Sequence, residues 1–331
     1  MPLKNNKVLL QYVPHGIDSA VYRPIEDSDK LLKARYKKHF GDKKYDYVLF
    51  YNSRNIQRKR TANIILAFRA FCDNLTPEQA DKCVLLMHTE KALDAGTDLI
   101  AVKQSLCRKY NVVIDEAKCS PEELVLDYNI ADVLINITSN EGFGLSCAEA
   151  IMCGTPVIAN VTGGLQDQIG QTDNDGAPVE FSLNFGSNHT GKYLNHGAWA
   201  YPIYPAARYI QGSIPTPYIF DDMCKWEDVA VGMMYWYVAG KENRDAAGAK
   251  GREWALGEGG LSNKNMANQF IKALNRVFET FVPCKQFGVY TTDSYTGHTA
   301  PFDSIGGEIP KIDMDSIQDD IAYNLLPKLK G

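Results

Sequence analysis

Two glutamates, Glu141 and Glu149, lie eight residues apart around a Gly-Phe-Gly turn and a short apolar segment, in NEGFGLSCAEAIMCGTPVIANVTGG, residues 140–164. The glycines of the turn let the backbone approach a ligand closely, and free N–H groups at a helix start favour an anion. A carboxylate beside an anion site repels phosphate, so Glu141 is predicted to bind neutral hydroxyls. A carboxylate also accepts two hydrogen bonds side by side, so Glu149 suits the vicinal diol of a ribose or hexose.

Positive charge for a phosphate comes from another part of the sequence. Tyr51-Asn-Ser-Arg54 ends the first predicted strand, and Arg58-Lys59-Arg60 precedes the next predicted helix, at the same edge of the sheet. Arginine offers a bidentate fork and lysine a point charge, which together suit a diphosphate. An anion site at one loop and hydroxyl acceptors at another describe a nucleotide diphosphate-sugar.

The elements that must position these loops follow from short apolar runs between 45 and 169. The runs are rich in Val, Ile and Leu and apolar on both faces, as in parallel strands covered by helices on both sides. Their alternation with helical periodicity predicts an α/β, doubly wound parallel (Rossmann-like) sheet with right-handed crossovers. Predicted strands begin at Tyr47, Cys83, Asn111, Asp132 and Pro156, and predicted helices span 61–73, 97–109, 121–129 and 146–153. Ligands bind such sheets at the carboxyl ends of the strands.

Outside this core, residues 171–222 are rich in Gly, Asn, Tyr and Pro and are predicted to form a loop-rich insertion. Its Tyr201–Pro205 and Pro215–Tyr218 segments suit either an acceptor groove or packing over the sheet. Helical periodicity returns at 226–240, 244–256 and 263–281, with an amphipathic stretch near 315–327. We divide the chain into a linker and lead-in (1–44), a ligand-binding domain (45–260), and a C-terminal helix and tail (261–331).

Composition excludes several classes of protein. With 331 residues, 45% hydrophobic and 23% charged, the chain is expected to be a soluble globular protein. A net charge of −5 offers no basic excess for nucleic acid. The eight cysteines form no C-x-x-C pair, so no zinc site is expected. Neither a membrane span nor a signal peptide is predicted, which favours a cytoplasmic location.

The segment Glu141-Gly-Phe-Gly-Leu145 followed by Glu149 resembles the E-x7-E motif of retaining GT-B glycosyltransferases, specifically glycosyltransferase family 4. The resemblance covers roughly residues 10–170. Val13-Pro-His-Gly-Ile-Asp18 resembles the interdomain "PNGID" segment of that family, with His15 in place of asparagine.

The region from Arg54 to Lys59 resembles the donor-phosphate region of the family, although Arg60 replaces the usual glycine. The resemblance implies that Arg54 and Lys59 bind the donor diphosphate and that Glu149 holds the ribose hydroxyls. It also implies that Glu141 and the backbone of residues 142–145 bind the transferred sugar. We therefore predict catalytic roles for Glu141, Arg54 and Lys59, and donor contacts from Gly142, Phe143, Gly144, Leu145, Glu149 and Thr138.

By this resemblance the chain is the C-terminal, donor-binding half of a GT-B enzyme, and transfer from a UDP- or GDP-linked donor proceeds with retention and without metal or cofactor. GT-B enzymes have two Rossmann-like domains, so the acceptor-binding domain is expected to be missing or supplied by a partner chain. The acceptor, whether saccharide, lipid or protein, stays open. Alternatives are a non-catalytic nucleotide-sugar-binding subunit and a GT-B-like epimerase or phosphorylase.

Overall fold

A computed structural model describes residues 11–179, 188–189, 191–212 and 214–281. The chain divides into two units, Met1–Phe281 and Val282–Gly331, and all described residues belong to the first. The amphipathic stretch predicted near 315–327 lies outside the described residues.

A six-stranded parallel sheet forms the centre of the described unit, in the order β3-β2-β1-β4-β5-β6. The strands are β1 Tyr47–Asn52, β2 Cys83–His88, β3 Asn111–Asp115, β4 Val133–Asn136, β5 Val157–Asn160 and β6 Ala200–Ile203. The prediction of a doubly wound sheet is confirmed. Because the order reverses between β1 and β4, the loops after these strands diverge and leave a crevice there.

Helices cover both faces of this sheet. They are α1 Lys30–Phe40, α2 Thr61–Asp73, α3 Pro77–Asp81, α4 Leu99–Leu106, α5 Pro121–Ile130, α6 Leu145–Cys153, α7 Trp226–Leu256 and α8 Asn263–Thr280. Alternate residues of β1 supply the two cores: Leu49 packs into the layer that contains α2 and α7, and Phe50 into the layer with α5 and α6.

Local signals set the helix ends as the sequence predicts. Ser120 accepts a hydrogen bond from the backbone N–H of Glu123 and completes a capping box, with Pro121 at the first helical position. Gly154 ends α6 with a φ of 80°, a conformation that glycine adopts without a Cβ penalty. In α7, Gly240 has φ 77° and ψ 163°, which matches the predicted break between two helical segments.

The lead-in contains a helix, α1, that the sequence analysis does not predict. Asp29 caps it by accepting from the backbone N–H of Leu31 at 2.7 Å. Arg35 joins it to α5 through a bidentate pair with Asp127, at 2.7 and 2.6 Å. The lead-in also meets the start of α8, since the backbone N–H of Ile17 donates to the carbonyl of Leu261 at 2.7 Å.

The segment predicted as a loop-rich insertion contains three strands. One is β6, the edge of the main sheet, where Pro202 stands opposite Ala159. The others, β7 Ala207–Ile210 and β8 Phe220–Met223, form an antiparallel hairpin. Proline at Pro202 and Pro205 hides this strand content, because proline is tolerated in a strand chiefly at a sheet edge.

Candidate active site

A cleft of about 550 Å³ lies at the carboxyl ends of β1 and β4, where the strand order reverses. Three segments of the chain that the sequence analysis predicts to bind a ligand meet there: the end of β1, the loop before α2, and the turn into α6. Its lining includes Asn52, Ser53, Arg54, Lys59, Glu141, Gly144, Leu145, Ser146 and Glu149. The cleft therefore brings together the residues predicted to bind phosphate and those predicted to bind hydroxyls.

Lys59 and Glu141 form an ion pair inside this cleft. The ammonium of Lys59 donates to Oε2 of Glu141, and the two side chains are 11% and 12% exposed. Arg58 Nη1 supports the same loop, donating to the carbonyl of Asn140 at 2.6 Å, and it lies 3.4 Å from Oε2 of Glu141. The positive charge of Lys59 offsets that of the Glu141 carboxylate, so the repulsion between Glu141 and a nearby phosphate is weakened.

The loop that carries Lys59 is fixed to the end of β4 through one carbonyl. The carbonyl of Arg58 accepts from the backbone N–H of Ser139 at 2.8 Å and from the hydroxyls of Thr138 and Ser139 at 3.1 Å each. Thr138 is fully buried, and its hydroxyl also contacts the carbonyl of Asn140 at 3.0 Å. The structure therefore does not bring Thr138, a predicted donor contact, into the cleft. Its hydroxyl holds the loop instead.

Arg60, which replaces the glycine of the family resemblance, has a left-handed backbone with φ 54° and ψ 37°. Within the described ranges no other non-glycine residue has a positive φ. This conformation is strained for a residue with a Cβ and explains why glycine suits the position. The Arg60 guanidinium donates from Nη2 to Asp221 Oδ2 at 3.1 Å, so arginine here ties the loop to β8.

Two glycines fix the turn into α6 from behind. A Cβ at Gly163 would lie 2.0 Å from the carbonyl oxygen of Glu141, and one at Gly164 would lie 2.4 Å from that of Gly142. The backbone N–H of Gly164 donates to the carbonyl of Glu141 at 3.1 Å. Any side chain at either glycine would therefore displace the turn that presents Glu141.

Glu149 faces the cleft from α6 with its carboxylate mostly buried. The hydroxyl of Tyr128 donates to Oε2 of Glu149 at 2.6 Å, and Asn52 Nδ2 donates to the same hydroxyl at 2.9 Å. Burial raises the pKa of the Glu149 carboxyl, against the opposing effect of hydrogen bonds from Tyr128 and Tyr22. The sequence analysis misses Tyr128, because its spacing on α5 shows only a core position.

The other predicted site residues are placed differently. Arg54 reaches the cleft with a side chain 72% exposed, its Nε 3.7 Å from Glu90. Gly142 and Phe143 do not line the cleft: Gly142 is exposed, and the Phe143 ring packs against His15, with centroids 5.2 Å apart. A turn of four residues cannot aim every side chain at one ligand. The roles of the residues that do line the cleft stay predictions.

Polar residues at the carboxyl ends of β2 and β3 complete the rim, and the sequence analysis does not predict them. They are His88, Thr89, Glu90, Glu116 and Lys118. His88 is held by Asn52 Oδ1 at 2.9 Å and by the carbonyl of Ala117 at 2.9 Å. All of them lie at or just beyond the carboxyl ends of strands at the same edge of the sheet, so the rule that ligands bind at these ends could have found them.

Among the residues that the structure describes, no group of three or more His, Cys, Asp or Glu side chains could hold a metal ion. In the same part of the chain, no helix is long and apolar enough to cross a membrane. Metal-independent binding stays a prediction.

Residues 33–182 match a protein-family model described as "Glycosyl transferases group 1". The fold is that of one half of a GT-B glycosyltransferase. Two solved structures show the same fold at low sequence identity. A glycosyltransferase from Rickettsia africae has a TM-score of 0.53 and 13% identity, over 81% of this chain and 57% of that one. The Anabaena protein HepE, solved with UDP-glucose, has a TM-score of 0.52 and 14% identity, over 80% and 57%.

Curated relatives of this GT-B half are similar over part of their length. The D-inositol 3-phosphate glycosyltransferase of Salinispora arenicola is 27% identical over 163 residues, which are 47% of this chain and 35% of that protein. A 45-residue stretch, 14% of this chain and 11% of the relative, is 56% identical to the protein of the same name from Corynebacterium jeikeium. The chain spans about a third of the length of the first relatives it matches.

Proposed function

We propose that this chain is the donor-binding half of a retaining hexosyltransferase of the family 4 type, which takes a sugar from a UDP- or GDP-linked donor without a metal ion. The observation that carries the proposal is the meeting of Lys59, Glu141 and Glu149 in one cleft at the switch point of the sheet. Glu141, Lys59 and Glu149 would then contact the sugar, the diphosphate and the ribose, which follow one another in that order along a donor.

The diphosphate would lie beside Lys59 and the start of α6. The N-cap residue of this helix, Gly144, has a φ of 94° and no side chain with which to cap the first turn. The uncapped end and the helix dipole favour a phosphate there. Arg54, largely exposed at the rim, is free to turn toward the same anion. Fixed cations and backbone N–H groups would then stabilise the charge that develops on the leaving phosphate.

The ion pair between Lys59 and Glu141 holds both side chains in place before a donor arrives. A diphosphate competes for the ammonium of Lys59, and this frees carboxylate lone pairs of Glu141. Those lone pairs then accept hydroxyls of the transferred sugar. The pair therefore serves as a preorganised form of two contacts that separate when the donor binds.

The ribose diol would be bound by Glu149. Tyr128 already donates to Oε2 of Glu149, so the carboxylate has a fixed orientation, and its remaining lone pairs suit the two ribose hydroxyls. Since uridine and guanosine share this ribose, Glu149 serves either nucleotide. The UDP-glucose bound to the Anabaena neighbour makes UDP the first nucleotide to test.

The family resemblance supports a front-face reaction. The bond between the anomeric carbon and the β-phosphate oxygen breaks as the acceptor hydroxyl oxygen bonds to the same face of that carbon. The hydroxyl proton passes to the departing phosphate oxygen. No protein nucleophile is required, and the chain contributes by binding, orienting and stabilising charge.

Calorimetric titration with UDP, GDP and UDP-glucose tests the proposal. Wild type should bind one of the two nucleotides, and Glu149→Gln should weaken that binding. Glu116→Gln is the matched control, because Glu116 lines the same cleft but pairs with Lys91 at 2.9 Å on the exposed rim. Absence of binding to both nucleotides by folded protein would overturn the proposal.

Product analysis then separates enzyme from binding subunit. Transfer or donor hydrolysis by the chain, with D-inositol 3-phosphate among the acceptors offered because the curated relatives carry that name, indicates a transferase. Binding with neither reaction indicates a non-catalytic subunit, and a changed sugar nucleotide indicates an epimerase.

A further inference from the structure

A second cavity, of about 210 Å³, adjoins the donor cleft across the turn into α6. Gly144 lines the donor cleft, whereas its neighbour Phe143 lines this second space, which we call the Asp167 cavity. At roughly 30 Å³ for each water molecule, it has room for about seven waters, enough for one small polyol ring. None of the predicted functions uses it.

Two aromatic side chains, Phe143 and Trp254, line the Asp167 cavity, together with Tyr12 from the lead-in. The Trp254 ring is itself braced by Trp199, with centroids 4.8 Å apart. Rigid aromatic surface beside a few polar groups is the composition of a small-molecule site.

The polar lining is rich in hydrogen-bond acceptors. The hydroxyl of Tyr12 donates to Asp167 Oδ2 at 3.3 Å. Gln168 is 1% exposed, and its Nε2 donates to the carbonyl of Phe143 at 2.5 Å. A second carbonyl, that of Gly144, lies 3.4 Å from the same nitrogen, so the amide orientation is fixed. Oε1 of Gln168 then has no hydrogen-bond partner among the residues that the structure describes. A lining with more hydrogen-bond acceptors than donors suits a ligand that donates hydrogen bonds, as hydroxyl groups do.

The charges that line the Asp167 cavity further restrict the chemical class of ligand that it suits. The charged residues that line the Asp167 cavity are two carboxylates, Asp167 and Glu258, and its described lining contains no lysine or arginine. A phosphorylated ligand would be repelled there, whereas a neutral polyol would not. Burial raises the pKa of Asp167 to about 6, so above that pH a partly buried carboxylate gains from hydroxyl donors.

We propose that the Asp167 cavity binds one neutral saccharide residue of the acceptor, next to the turn that presents Glu141, while the other half of a GT-B enzyme binds the rest of the acceptor. The inference rests on the proposed function and extends it by naming the acceptor class. Gln168 connects the two sites, because its amide holds the carbonyls of Phe143 and Gly144 that shape the turn. A sugar ring in the cavity would thereby lie close to the donor cleft.

The experiment titrates the full chain, with UDP present, using methyl α-D-glucopyranoside, methyl α-D-mannopyranoside and myo-inositol, and observes binding by saturation-transfer NMR and calorimetry. Glucose 6-phosphate serves as the charged probe. At least one neutral probe should bind saturably, and glucose 6-phosphate should bind more weakly. Asp167→Asn should weaken the neutral probe by about tenfold or more, since a hydrogen bond to a charged acceptor is lost.

Controls keep the result specific to the Asp167 cavity. Asp175→Asn changes an exposed carboxylate of the neighbouring loop outside the cavity and should leave saccharide binding unchanged. UDP affinity should be the same in wild type and Asp167→Asn, and thermal unfolding should show both variants folded.

Two results would overturn the inference for a chain that binds UDP. One is UDP binding without any saturable saccharide binding, which leaves the donor proposal standing. The other is saccharide binding that Asp167→Asn leaves unchanged, or that Glu149→Gln abolishes, because the sugar would then occupy the donor cleft. Saccharide binding that depends on Asp167, in a chain that binds no nucleotide, would overturn the acceptor role together with the proposed function.

Discussion

Glu149→Gln should have opposite effects on nucleotide affinity and on stability. Within the described residues no ion pair joins Glu149, and burial raises the pKa of its carboxyl. In wild type the hydroxyl of Tyr128 donates to Glu149 Oε2 at 2.6 Å. Glutamine keeps the size of the side chain and an oxygen that can accept this hydrogen bond. The substitution therefore removes a buried charge that hinders folding, together with the charge that is proposed to bind ribose.

The loss of affinity follows from the hydrogen bonds to the diol. Bonds to a charged acceptor contribute about 1.5–3 kcal/mol, so Kd for the nucleotide should rise about 10- to 150-fold. The stability effect has a sign set by the raised pKa. Below the unfolded pKa of a glutamate, about 4.3, the carboxyl is protonated in both states. As pH rises from the unfolded pKa through the higher folded pKa, the free energy of unfolding of wild type falls. The variant has no carboxyl at this position, so it does not show this fall.

The assay measures both quantities on the same proteins. Calorimetry gives Kd for UDP and GDP, and thermal unfolding between acidic and neutral pH gives Tm for wild type and variant. The difference in Tm, variant minus wild type, should increase with pH through the window and then stay level. Glu116→Gln is the control, because Lys91 lowers the pKa of Glu116 and its pH dependence should have the opposite sign.

The role of Glu149 in ribose binding and the effect of its buried charge on stability are tested separately. An unchanged Kd for both nucleotides in a folded Glu149→Gln protein would refute the ribose assignment. A Tm difference that does not change with pH would refute the argument that a buried charge destabilises the fold.

Three further predictions concern the Lys59–Glu141 ion pair, the metal dependence of nucleotide binding, and Arg60. Lys59→Ala should weaken UDP and UDP-glucose by a similar factor that shrinks at high salt. Glu141→Gln should lower the affinity for UDP-glucose without lowering that for UDP, because it removes a competitor for Lys59. Because the two side chains touch, calorimetry on the double variant should show non-additive effects. Nucleotide affinity measured in EDTA should equal that in Mg²⁺, and strict metal dependence would contradict the fixed-cation argument. Arg60→Gly should lower the free energy of unfolding, measured by urea titration, by about 1–4 kcal/mol. Loss of the partner of the buried Asp221 carboxylate costs about 3–5 kcal/mol, which exceeds the relief of about 1–2 kcal/mol of left-handed strain.

The sheet could be predicted because a buried parallel strand has a local sequence signal, a run of apolar residues such as Tyr47–Asn52. The helix α1 has no such local signal. Five of the eleven residues in its sequence, KLLKARYKKHF, are Lys or Arg. The buried Arg35 is stabilised by its pair with Asp127, which lies 92 residues away in the chain. The hairpin of β7 and β8 was missed for the same reason, since Arg208 and the buried Asp222 pair across it.

The meeting of Lys59, Glu141 and Glu149 could be predicted from position alone, because each lies just beyond a strand or at the helix that follows it. The direction of individual side chains could not. Thr138 turns inward because the carbonyl of Arg58 covers the end of β4, and Phe143 turns toward His15. Such orientations depend on packing between segments that are distant in the chain.

The proline in β6 limits how this chain can associate with another. The carbonyls of Trp199 and Ile203 accept hydrogen bonds from β5. Because backbone groups alternate in direction along a strand, the backbone nitrogen of Pro202 lies on the opposite edge of β6, away from β5. Proline has no N–H to offer there, and an incoming strand would find a gap in the row of donors. A partner that supplied the acceptor-binding half, or a second copy of this chain, would not extend the sheet across Pro202. It would have to attach through loops and side chains.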